Sequence, residues 1–284
     1  MLNRVRRNGV PCVLTTEPWN TALLDEWFKR GPHKSANEHG EFLQEEFLDF
    51  CRKGFWVLLP YAKVRDLPGL RVSPVGVVPQ RGRRPRIIVD YTFYGINVET
   101  VKMSHRDMMQ FGKANERLMD VLARANPKFG PCYMYKVDIS DGFYRVPLST
   151  TGSLKLGVCL PALPDVPGEA LVAFPLDLPM GWTESPPFFC AFTETACDLA
   201  NQDLRKNVRA PPHPLEDRAA AGDFLPNPDK GHDVLPFRPV RLSHQARLFS
   251  KPVAYNDIFM DDFVGIGQQH KMNPLPNQRR VLMH

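Results

Sequence analysis

At 284 residues and 43% hydrophobic side chains, the chain has room for one large domain or two small ones, and a globular rather than a disordered protein is expected. Its 36 Lys and Arg against 31 Asp and Glu give a net charge of +5, which suits a polyanionic partner without requiring one. The six cysteines form no C-x-x-C pair, and neither a signal core nor a stretch of roughly eighteen apolar residues is present, so reduced core thiols in an intracellular protein outside the membrane are expected.

In chain order, residues 19–28 place Leu23, Leu24, Trp27 and Phe28 on one helical face. Ser35 stands where it can cap a second helix, with Glu38 at the capping-box position, and Leu43, Phe47, Phe50 and Cys51 recur at helical spacing before Gly54. Residues 55–61 and 70–79 read as short strands whose prolines favour edges and bulges. Residues 81–85 then form the turn of a hairpin that returns over 86–91. In this region Lys63, Arg65, Arg71, Arg81, Arg83, Arg84 and Arg86 face only Asp66, an asymmetry typical of phosphate binding.

Residues 104–125 read as a helix with Met108, Met109, Leu118, Val121 and Leu122 as its apolar contacts. A strand ending at Asp138 follows, then strands over 154–160 and 170–176, then a helix over 183–201 with Pro186 in its first turn. Residues 203–253 hold eight prolines and read as a long loop or insertion, with a short helix at 242–249. The stretch after residue 268 is polar, Pro-interrupted and too short to fold alone.

Two apolar runs meet at Asp261-Asp262 in the segment Asn256-Asp257-Ile258-Phe259-Met260-Asp261-Asp262-Phe263-Val264-Gly265-Ile266-Gly267, which reads as a β-hairpin with the acids at its tip. Adjacent carboxylates repel, and apolar flanks with acid at the junction make sense mainly where a cation gathers. A surface turn is the plain alternative. Magnesium is the usual occupant, held by one or two protein carboxylates together with substrate phosphates.

Three ordered motifs sharpen this. The strand Tyr135-Lys136-Val137-Asp138, the turn Pro179-Met180-Gly181-Trp182-Thr183-Glu184-Ser185-Pro186 and the hairpin Phe259-Met260-Asp261-Asp262 together resemble the palm of reverse transcriptases of the retrotransposon and retrovirus type. Arg86-Ile87-Ile88-Val89-Asp90-Tyr91, ending at Asn97, resembles the segment that precedes the palm in that family, so the likeness covers roughly residues 40–267.

The resemblance implies an α+β right-hand polymerase: an N-terminal extension at 1–39, fingers at 40–130, and a palm at 131–267 whose antiparallel sheet carries helices on one face. A Pro-rich insertion at about 203–253 and a polar tail at 268–284 complete this division. It implies RNA-directed DNA polymerase activity on a template with primer, using deoxynucleoside triphosphates and two Mg2+ ions, with Mn2+ as a substitute. Asp138, Asp261 and Asp262 would be catalytic, with the Ile139 carbonyl completing the metal ligands. Nucleotide contacts would come from Arg81, Arg86, Asp141, Phe143, Met180 and Gly181, and a primer contact from Met260.

Alternatives stay open at three of these positions. Asp141 either lies near the triphosphate or caps the following turn; Phe143, the steric gate against a ribose 2′-hydroxyl, could exchange roles with Tyr144; and Met180 departs from the family's usual Gln or Phe. The primer grip, thumb and ribonuclease H expected of the family do not follow the hairpin. A truncated copy is therefore expected, with a separate thumb or ribonuclease H polypeptide as a candidate partner. The rival reading is a catalytically idle remnant that at most binds nucleic acid.

Overall fold

The structure, a computed structural model, describes residues 1–103, 109, 111–165, 168, 170–216 and 247–284. It is a mixed α+β protein whose chain divides into two compact units, Met1–Met108 with Ser140–Ala191, and Met109–Ile139 with Phe192–His284.

In the first unit, helices α1 (Leu2–Asn8), α2 (Thr21–Arg30), α3 (Lys34–Asn37) and α4 (Gly40–Arg52) precede β1 (Trp56–Pro60), α5 (Tyr61–Val64), β2 (Val72–Gln80), β3 (Arg83–Val89) and α6 (Ile96–Glu99). From residue 140 on, this unit continues with α8 (Thr150–Leu154), β5 (Gly157–Cys159), β6 (Leu171–Pro175) and the start of α9 (Ser185–Arg205). The five strands lie in the order β1-β6-β5-β2-β3, antiparallel except for β2 beside β5. Val72, Val75, Val77, Val158, Val172 and Phe174 are buried, as expected for strands covered by helices.

Several local expectations change. The helix expected over 19–28, α2, starts at Thr21 because Asn20 caps it, accepting from the Leu23 N–H at 2.9 Å. Ser35 is not a cap: it lies inside α3, and its hydroxyl accepts from the Val77 N–H at 3.1 Å, tying that turn to β2. Pro74 sits in a central strand rather than at an edge, whereas Pro79 does fall at the bulge between Val78 and Gln80. The hairpin turn is tighter than 81–85: β3 begins at Arg83, opposite Gln80, so Arg81 and Gly82 alone make the turn, and Gly82 takes φ 67°.

The second unit is built on three antiparallel strands, β4 (Cys132–Asp138), β7 (Ala254–Phe259) and β8 (Asp262–Gln268), in the order β4-β8-β7. Helix α7 (Ala114–Arg124), the later part of α9, and α10 (Leu275–Met283) pack on this sheet. Helices lie on both faces, not one. Cys197 of α9 and Leu282 of α10 meet Val137, Ile258 and Phe263 on one face, while Leu118, Val121 and Leu122 of α7 cover Ile266, Tyr255 and Val264 on the other. The period of two explains this, since each set of alternating residues carries apolar side chains that need cover: Val137, Ile258 and Phe263 on one face, Tyr255, Val264 and Ile266 on the other.

Helix α9 extends to Arg205, beyond the expected end at 201, because Asn201 and Leu204 are buried against the unit's core. The helix expected over 104–125 is described only from residue 111 on, as a 3-10 turn at Phe111–Lys113 leading into α7; most of its first part lies outside the described residues. The short helix expected at 242–249 falls largely outside them too, and residues 247–249 are not helical. The polar C-terminal stretch does form a helix, α10, whose Gln278 and Val281 are buried and whose Arg280 pairs with Glu216. None of the six cysteines is in a disulfide, and among the described residues no helix is long and apolar enough to cross a membrane.

Candidate functional site

Strand register brings the acids together. Asp138, the last residue of β4, stands directly opposite Asp262, the first residue of β8, and Asp262 in turn faces Phe259 across the hairpin. Met260 and Asp261 make the turn, Met260 at φ 62°, and the Asp261 carbonyl accepts from the Ile139 N–H at 3.1 Å. One ligand oxygen from each of Asp138, Asp261 and Asp262 lies within 4.8 Å of the others. Strands about 4.8 Å apart make such convergence automatic once the register is set.

Like charges directly opposite one another destabilise a sheet. Burial of the carboxyl and the charges of Asp261 and Asp262 raise the Asp138 pKa above its ordinary value, with Lys136 acting in the opposite sense. Asp138 is exposed overall, so the neighbouring charges are the more durable part of that effect. Lys136, two residues before Asp138 on the same face of β4, places its Nζ 2.7 Å from Asp262 Oδ1. One ammonium against three carboxylates leaves an excess of negative charge, and an all-oxygen donor set suits a hard divalent cation. The residues present could therefore hold a hard divalent cation.

Behind the hairpin, Asp257 is buried and fully engaged. Arg117 of α7 grips it with two bonds, Nε to Oδ2 at 2.7 Å and Nη2 to Oδ1 at 2.6 Å, and the Tyr255 hydroxyl donates to Oδ2 at 2.8 Å. On the other face, Asn201 of α9 bonds both backbone groups of Asn256 at 2.7 Å. The acids thus stand on a hairpin that is clamped from both sides.

The remaining candidates lie in the first unit. Arg86, on β3, and Met180 line one cavity of about 210 Å³ together with Glu46, Phe50, Trp56 and Tyr144. Arg81 sits at the exposed hairpin turn, outside that lining. Asp141, at φ 55°, begins the 3-10 turn Gly142–Arg145 without a side-chain cap bond and lies 4.0 Å from Lys53 Nζ. The Phe143 ring stacks on Phe189 at 4.6 Å between centroids, whereas Tyr144, which lines the cavity, stacks on Phe55 at the same separation. Gly181 takes φ 98°, and a Cβ there would stand 2.6 Å from the Val89 carbonyl oxygen, so the turn requires glycine. Asn97 locks this turn, donating to the Gly181 carbonyl at 2.9 Å and accepting from the Thr183 N–H at 2.9 Å.

The basic run is less uniform than its sequence implies. Arg71 is 1% exposed and bonds Glu99, Thr16 and the Glu17 carbonyl; Arg65 pairs with Asp25, and Arg84 with Glu45 and Glu46. For Arg81, Arg83 and Arg86, all exposed, no ion pair is found among the described residues. Sequence reasoning also passed over Lys136, although the strand's period of two already put it beside Asp138. Arg117 gave no such signal, being 140 residues from Asp257.

No protein-family model matches this chain, and no curated protein matches it.

Proposed function

We propose that this chain is a nucleotidyltransferase of the reverse-transcriptase type, adding deoxynucleotides to a primer 3′-hydroxyl on an RNA or DNA template, with the palm site in the second unit. The observation that carries this reading is the convergence of Asp138, Asp261 and Asp262 at a strand end and a clamped hairpin tip. Divalent cations held by these three carboxylates would neutralise the reacting phosphate and lower the pKa of the attacking hydroxyl.

The chain's own residues do the rest by positioning. Arg117 and Asn201 fix the hairpin, so the carboxylates require little reorganisation. Arg81 and Arg86 offer planar donor forks for a triphosphate. Phe143, stacked on Phe189, is a rigid ring suited to excluding a 2′-hydroxyl, and Gly181 lets its turn close against the Val89 carbonyl. Met260, held at positive φ in the turn, is the candidate primer contact.

Primer extension with Mg2+ tests the reading, with Asp261→Asn as the diagnostic variant. The variant should lose extension while retaining template-primer binding, since the hairpin arginines are untouched. Extension by the variant at the wild-type rate would refute the catalytic role. A wild type that binds template-primer without extending it would instead support the idle nucleic-acid binder.

A further inference from the structure

We propose that Lys136 is the resident counter-ion of the carboxylate cluster, a positioning residue that competes with divalent cations for Asp262 and so sets the concentration at which the site loads. This rests on the palm reading above. The Lys136 ammonium lies 2.7 Å from Asp262 Oδ1, within the distance of a charge-assisted hydrogen bond. Asp262 faces Asp138 across the strand pair, and Asp261 is bonded through its backbone to Ile139, so all three acids are held close whether or not a cation is present.

Among the described residues, Asp262 is the member of the cluster whose side chain is ion-paired, to Lys136. A divalent ion recruiting its Oδ1 must displace Nζ, whereas for Asp138 and Asp261 no ion pair is found among the described residues. The Lys136 side chain is 60% exposed, so its head can swing into solvent at little cost when displaced. Lys136 thus offsets repulsion among the acids before loading and weakens their hold on the first ion afterwards.

The test is Mn2+ binding alone, followed through the free Mn2+ paramagnetic resonance signal, for wild type, Lys136→Met, Lys136→Arg and Asp138→Asn. Lys136→Met should bind Mn2+ about two- to fivefold more tightly than wild type, the range expected for removing one exposed ion pair. Lys136→Arg, which keeps the charge, should stay near wild type, which separates charge from any effect of altered packing. Asp138→Asn should lose most binding. If wild type binds and Asp138→Asn does not, but Lys136→Met binds no more tightly than wild type, the counter-ion role is overturned while the palm reading stands. If wild type fails to bind, or Asp138→Asn binds equally well, both are overturned.

Discussion

The ring of Tyr135 lies over Gly265. The two residues face each other across β4 and β8, and the Tyr135 hydroxyl donates to Asn256 Oδ1 at 2.8 Å on the third strand. A Cβ at position 265 would collide with the ring, so this glycine exists to admit a tyrosine that spans all three strands under the acid-bearing tip. Gly265→Ala should therefore destabilise the protein by about 1–3 kcal/mol, the usual cost of overpacking. Adding Tyr135→Leu should return part of that loss. Chemical denaturation would measure both, and an unperturbed Gly265→Ala would show that the ring is not held there.

The clamp behind the hairpin makes a second prediction. Arg117→Ala leaves Asp257, 3% exposed, without its bidentate partner, and leaving such a buried acceptor under-satisfied typically costs about 1–3 kcal/mol. Asp257→Asn in the same background should recover part of the loss, because the stranded charge is gone. Thermal or denaturant unfolding decides this, and additive losses would contradict the pairing.

Asp177 supplies a pH dependence. Burial pushes its carboxyl up to about 6, with Arg145 pulling the other way. Because the folded value lies above the unfolded one, the folded state holds an extra proton between them. Stability is therefore full below the unfolded value and is lost as pH rises through about 6. Asp177→Asn should raise the melting temperature at pH 8 by roughly 2–4 °C, equivalent to about 1 kcal/mol after discounting for screening at this half-exposed site, and should change it little at pH 4. A variant no more stable than wild type at pH 8 would place the charged carboxylate in comfortable hydration.

The hairpin arginines differ in what they can give to a polyanion. Arg81, Arg83 and Arg86 are the candidates for phosphate contact, and each such contact should steepen the log-affinity against log-salt slope by about 0.7–0.9. Replacing these three by Ala should flatten the slope for template-primer, whereas Arg84→Ala, already paired with Glu46 at 2.6 Å, should change it less. Equal effects from all four would mean that the carboxylates on α4 release Arg84 on binding.

What could be read from the chain alone was whatever depends on short range and order. The hairpin, the strand ending at Asp138 and the Gly181 turn were legible because each is a contiguous pattern, and the resemblance they carry together implied that the acids would meet. Lys136 was legible too, through strand alternation, and was overlooked. The burial of Arg71 was not legible, because its partner Glu99 lies 28 residues on and the packing of residues 16–19 around it is tertiary. Ser35 looked like a cap because capping and side-chain bonding to a neighbouring strand use the same hydroxyl chemistry. The clamp of Arg117 on Asp257 and the cover of Tyr135 on Gly265 are long-range pairings that no local pattern announces.

The central claim, that Asp138, Asp261 and Asp262 form a site for nucleotidyl transfer, is tested most directly by the rate at which one deoxynucleotide is added to a defined primer-template as Mg2+ is varied, in wild type and in Asp138→Asn. Wild type should incorporate only with the divalent ion present, and Asp138→Asn should be slower by about two orders of magnitude or more, since several kcal/mol of charge stabilisation is at stake. Incorporation that persists without a divalent ion, or that survives Asp138→Asn unchanged, would contradict the account.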